Sequence, residues 1–130
     1  MNKEICDIEG CGSTNLVQTH HIVKRKQAKY LEKCKFNLID LCWEHHHGTY
    51  GVHGKYGREL DQKLKREYQL KILDLFFDKD YYTREEISSL LEISIEEADR
   101  LCKTILGDKG IFCREDIVRA CLGGKLILEG

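Results

Sequence analysis

The stretch NLIDLCWEHHHG at residues 37–48 constrains this chain more than any other. Asn37 opens it, apolar residues lead to Cys42, and His45, His46 and His47 close it. All six histidines fall between His20 and His53, with Cys6 and Cys11 just upstream. Imidazoles and thiolates crowded into so short a window are the donors that zinc and other borderline transition metals take. A chain of 130 residues forms one domain, or one domain with a small appendage. Lobes of about 60 residues usually need a staple such as a metal. Seven cysteines, an odd number, with no apolar N-terminal stretch, point to a reducing, cytoplasmic setting and to metal binding instead of disulfides. No run of about 18 apolar residues occurs, so no membrane span is expected. No internal repeat is evident.

Charge is uneven along the chain. Residues 1–73 carry a formal +4 and residues 74–130 a formal −5. The first half suits a phosphate backbone and the second would be repelled by one.

In order, CDIEGCGSTN at residues 6–15 reads as a knuckle that turns Cys6 and Cys11 toward one ion. Cys42 and His45, spaced C-x2-H, supply a second pair, and the four donors complete a Cys3His structural zinc site. Residues 16–23, with Val17, Ile22 and Val23, favour a strand, on which His20 and His21 point to opposite faces. One serving as metal ligand and the other as base is a natural division of labour. Residues 24–36 hold six Lys+Arg with Tyr30 and Phe36 interleaved. Lys24, Arg25, Lys26 and Lys29 are the candidates for DNA-backbone contact; a solvated charged face fits the same residues. Cys34 has no evident ligand partner. A second strand, NLIDLC, runs antiparallel to the first, and a helix carries the three histidines to Gly48. The four-glycine loop GTYGVHGKYG places His53 at its middle, and an amphipathic helix spans about 57–77 with Leu60, Leu64, Tyr68, Ile72, Leu75 and Phe76 on its apolar stripe.

These residues resemble the HNH (ββα-metal) nucleases, which carry a first-strand [DH]-H-I, an Asn in the loop and a final His on the helix. Many members add a zinc knuckle whose second half reads N-L-x-x-L-C-x-x-C-H. NLIDLCWEHH keeps every spacing, with His45 standing where the second cysteine usually is. The GVHG loop and charged helix look like those of small phage-type members, and the resemblance covers about residues 5–70. It implies an α+β fold: a ββα-metal core with a structural zinc site, then a long helix and a small, mostly helical C-terminal lobe. The expected division is a nuclease domain with its zinc knuckle over 1–77 and, from the residue pattern, a helical lobe over 78–130. By the same resemblance His20 and His46 bind a catalytic divalent metal (Mg2+, Mn2+, Ni2+ or Zn2+), and His21 is the general base. Asn37 holds the loop and orients the His21 ring. His53 is a possible further metal or phosphate contact, and His47 is expected to face elsewhere. The implied activity is metal-dependent hydrolysis of DNA phosphodiester bonds, in a bacterial or phage-infected cell.

The second half has its own punctuation. Thr83 with Glu86 and Ser94 with Glu97 form capping boxes for two helices joined at about 92–94. A third short helix lies near 114–122 before Gly123-Gly124, and KLIL reads as a final strand. The helix pair resembles a helix-turn-helix, but Glu96, Glu97 and Asp99 sit where base contacts are made. An interaction lobe that docks a protein partner is favoured over a DNA reader. The alternative for the whole chain is a zinc-stabilised binding module, alone or inside a larger phage DNA-processing complex. Such a module has no use for His20, His21, Asn37 and His46 at these spacings.

Overall fold

The computed structural model describes residues 5–127 and has a mixed α+β fold. Strand β1 (Gln18–His21) pairs antiparallel with β2 (Leu38–Leu41), with His20 opposite Ile39 and His21 opposite Leu38. Both strands are shorter than the apolar runs suggest: the Ile22 amide still donates to the Asn37 carbonyl at 2.9 Å, but Val23 bonds to the Asn37 side chain at the loop's start, and Cys42 caps α1. Helix α1 (Trp43–His47) follows β2 directly and ends at Gly48 as expected. The knuckle is fastened to β2 from outside: the Asp7 amide donates to the Asp40 carbonyl at 2.7 Å, and the Asp40 amide donates to an Asp7 carboxylate oxygen at 2.8 Å.

The 24–36 segment contains two single 3-10 turns, Lys29–Leu31 and Lys35–Asn37. Its apolar residues Ala28, Tyr30, Leu31 and Cys34 are buried while its lysines stay in solvent. Tyr30 is therefore a core residue: its hydroxyl donates to the Ala120 carbonyl at 2.8 Å, ninety positions away. The buried Cys34 thiol donates to the Leu91 carbonyl at 3.4 Å, outside either ligand cluster.

Helix α2 (Arg58–Leu75) buries Leu64, Tyr68 and Ile72 along one side, the stripe expected from the i+4 spacing. The Tyr68 hydroxyl donates to the Cys121 carbonyl at 2.9 Å. Apolar side chains from both halves of the chain form one continuous core, from Cys6 and Leu31 through Ile72 and Phe76 to Leu101 and Ile117.

The second half is built from α3 (Arg84–Leu91), α4 (Ile95–Cys102) and α5 (Arg114–Cys121), with two three-residue strands, β3 (Tyr81–Thr83) and β4 (Ile111–Cys113). Both expected capping boxes form, Thr83 with Glu86 and Ser94 with Glu97. The strands have no signature in the sequence, because three residues are too few for alternation to register. They pair antiparallel with Tyr82 opposite Phe112 at the centre. YYTREEI (81–87) and IFCREDI (111–117) carry the same strand-then-helix pattern thirty positions apart, so the pairing has a local pseudo-twofold axis between Tyr82 and Phe112. An internal repeat thus exists where none is expected. Residues 125–127 form no strand; the Ile127 amide and carbonyl bond instead to the Gln69 side-chain amide at 2.8 and 3.0 Å. Leu128, the last residue of KLIL, lies outside the described residues. Among the described residues no helix is long and apolar enough to cross a membrane.

Candidate metal centres and active site

Two clusters of metal-type donors form on different faces of α1, because consecutive residues on a helix project about 100° apart. His45 points to the knuckle and His46 points to β1.

The first cluster is Cys6, Cys11, Cys42 and His45, whose donor atoms all lie within 4.8 Å of one another. Cys11 Sγ lies 3.8 Å from Cys42 Sγ, and His45 Nδ1 lies 3.3 Å from Cys42 Sγ and 3.5 Å from Cys6 Sγ. A tetrahedral zinc with bonds of about 2.3 Å to sulfur and 2.0–2.1 Å to nitrogen has edges of about 3.8 and 3.5 Å. The donor set and its spacing fit a structural metal such as zinc. Electrostatics agree. Burial alone would raise the Cys42 thiol, but the His45 amide and ring and the Cys6 and Cys11 thiols outweigh it and bring Cys42 down to about 6. Burial raises Cys6, whereas Cys42 is the α1 N-cap, a position that favours a thiolate.

The second cluster joins His20, His46 and His53, again with donor atoms within 4.8 Å. His20 comes from β1, His46 from α1, and His53 from the glycine loop. His20 is buried, and its Nε2 has no hydrogen-bond partner among the described residues. A buried ring nitrogen without a partner costs about 1–3 kcal/mol, which a bound cation would remove. Burial, then the neighbouring His46 and His53, lowers His20 to about 4; burial and the adjacent His47 and His53 also lower His46. Both rings therefore offer neutral lone pairs at pH 7. These features fit a divalent cation at the three histidines.

Gln18 touches the site and His47 lies beside it, outside the donor cluster and the cleft lining, without any forewarning in the local sequence. The Gln18 side-chain oxygen lies 3.1 Å from His46 Nδ1, so that nitrogen carries the proton and Nε2 is left for a ligand. The available signal is position: Gln18 and His20 are two apart on β1 and share a face. His47 does not face elsewhere. Its ring centroid lies 4.1 Å from that of His46 and 5.6 Å from that of His53, because the loop after Gly48 folds back over the end of the helix.

That loop is ordered by a ladder of glycines spaced three apart. The Gly51 amide donates to Gly48, Gly54 to Gly51 and Gly57 to Gly54, at 2.9, 2.8 and 3.1 Å. A Cβ at Gly54 would collide with the Gly48 carbonyl, and one at Gly57 with the Gly51 carbonyl. The His53 amide donates to the His46 carbonyl at 2.9 Å, and this fixes the third histidine against the second.

His21 and Asn37 are organised differently from expectation. Asn37 is fully buried; its Oδ1 accepts from the Val23 amide at 2.7 Å, and its Nδ2 donates to the Val23 and Leu31 carbonyls at 3.0 and 3.3 Å. It clamps both ends of the 24–31 loop, but the His21 ring is not its partner. Nε2 of His21 lies 3.0 Å from the Glu32 carbonyl oxygen. A carbonyl can only accept, so Nε2 bears the proton and Nδ1 keeps the lone pair.

Thr19, His20, His21, Lys24, Arg25, Lys26, His46 and His53 line one open cleft of about 390 Å³. Three of the four candidate backbone-contacting cations are thus beside the histidines; Lys29, on its 3-10 turn, is exposed but outside the lining. Arg25 also approaches Glu32 at 3.5 Å.

No family model, curated protein or solved structure matches the chain.

Proposed function

We propose that the protein is a metal-dependent endonuclease of the HNH (ββα-metal) type that hydrolyses DNA phosphodiester bonds. The observation that carries this reading is the convergence of three histidines, one with an unpartnered buried Nε2, in a cleft walled by His21, Lys24, Arg25 and Lys26. His20, His46 and His53 would hold the divalent cation. When bound, it would supply positive charge to offset the charge that develops on the phosphate. Lys24, Arg25 and Lys26 bind and orient the phosphate backbone. His21 takes a proton from the attacking water at Nδ1, with Nε2 anchored on the Glu32 carbonyl. Gln18 holds the His46 ring in register, and Asn37 keeps the loop that carries Val23 and Leu31 closed. The Cys6, Cys11, Cys42 and His45 site is structural: four protein donors complete a tetrahedron and leave no place for substrate.

Incubating supercoiled plasmid with protein reloaded with a divalent metal tests this reading. Nicked or linear product, absent with His21→Ala, is the expected result. Intact plasmid with every divalent metal would overturn it.

A further inference from the structure

The glycine loop carries a second feature besides His53. Tyr50 and Tyr56 are 72% and 53% exposed, yet their rings stack on each other with centroids 5.6 Å apart and planes at 29°. The sequence explains the pairing: both are third residues of G-x-x units, six positions apart, so the ladder returns them to one side. Two large rings held in solvent by a stiff loop keep their shape without a partner and lose little entropy on meeting one. Lys55 Nζ lies 5.3 Å from the Tyr56 ring centroid, a cation–π contact. The shallow cleft beside the pair is lined by His45, Glu59, Leu60 and Lys63, and Arg58 opens the next helix. Lys55, Arg58 and Lys63 stand around the pair, with Glu44 and Glu59 among them. The pair opens on the His45 side of α1 and not into the histidine cleft, yet His53 is three residues from each tyrosine, hence within about 11 Å at the Cα atoms. A single strand crosses that distance in a few nucleotides.

We infer that the Tyr50–Tyr56 pair is a stacking platform for an unpaired nucleobase. This inference rests on the nuclease reading and narrows its substrate: DNA with a single-stranded segment a few nucleotides from the scissile phosphate. An aromatic face with flanking cations accepts any base and excludes none by hydrogen bonding, as sequence-tolerant single-strand binders do. A base inside a duplex has its faces covered and cannot use the platform.

The test uses full-length, zinc-loaded His21→Ala protein, which does not consume its ligand. Fluorescence anisotropy at fixed salt compares a short oligothymidylate, an abasic strand of equal length and a blunt duplex. The inference expects oligothymidylate to bind more tightly than the abasic strand. The added pair Tyr50→Ala and Tyr56→Ala should weaken oligothymidylate binding by about tenfold and leave the duplex within about twofold. Tyr50→Phe with Tyr56→Phe, which keeps the rings, should bind as the parent does. Equal binding of the abasic and thymidine strands, or no loss in the alanine pair, overturns the platform while leaving the nuclease reading intact. Failure of the parent to bind any of the three overturns both.

Discussion

His21 Nε2 meets the carbonyl oxygen of Glu32 at 3.0 Å, across the basic loop that begins only three residues after the histidine. The contact sets which ring nitrogen is basic. It depends on the loop's shape, and that shape depends on Asn37, which bonds to Val23 at the loop's start and Leu31 near its end. Asn37 thus governs the His21 ring through the loop backbone and not by touching it.

Asn37→Ala should therefore act on stability and activity together. It removes three buried hydrogen bonds and strands the Val23 amide and carbonyl, while the Leu31 carbonyl keeps the Cys34 amide at 3.1 Å; the loss is about 2–4 kcal/mol. Urea unfolding measures it. A variant as stable as the parent would show that the clamp contributes nothing.

The Cys3His cluster should carry one tightly held zinc per chain, and Cys42→Ser should lose it. Structural zinc in small domains contributes on the order of 10 kcal/mol. The Tyr30–Ala120 and Tyr68–Cys121 bonds join the first half to the second through a common core, so loss of zinc should loosen the C-terminal helices as well. Elemental analysis with thermal unfolding by circular dichroism decides this. Well-folded protein without zinc would contradict it.

The clusters differ in how far they can be read from sequence. The Cys3His set is legible because its donors sit at short, fixed spacings on a knuckle and a helix N-terminus, and local geometry brings each pair together. His20 and His46 are legible only through the family pattern. Gln18 and His47 are not, since their roles depend on strand face and on the way the glycine loop folds over α1. In the second half, helix caps announce themselves through Thr83–Glu86 and Ser94–Glu97, whereas β3 and β4 exist only because they pair. Tyr30 reads as an interleaved surface aromatic because nothing local reveals a partner ninety residues away.

Acid should destabilise the protein when no divalent cation occupies the histidine cluster. Burial, with His46 and His53 nearby, holds His20 at about 4 in the folded state, against about 6.5 when unfolded. Between those values the unfolded chain binds the extra proton, so stability falls as pH drops from about 6.5 to 4 and is fully retained above that window. Urea midpoints across this range, compared with His20→Gln, measure the contribution. An unchanged slope in the variant would contradict it.

DNA affinity should come from the cleft and not from the C-terminal helices. Arg84 and Lys103 both bind Asp99, at 3.3 and 3.2 Å, while Arg114 pairs with Asp80 and Arg119 with Glu115, at 3.4 and 3.5 Å. These cations are occupied by the lobe's own acids, and Arg100 stands outside the pairs. Replacing Lys24, Arg25 and Lys26 with alanine should lower the slope of log K against log salt by roughly 0.9 for each phosphate no longer neutralised. Arg100→Ala should leave it unchanged. The reverse pattern would make the helix pair the DNA-binding surface.

The most direct test of the central claim, that the three-histidine cleft is a catalytic metal site with His21 as its base, is the plasmid-cleavage rate across a divalent-metal series for wild type, His21→Ala and His46→Ala. His21→Ala should lose about 10²–10⁴-fold at every metal concentration, because its deficit is a missing base. His46→Ala should be inactive at low metal and partly restored at high metal, because its deficit is affinity. Wild-type rates in both variants would contradict the account.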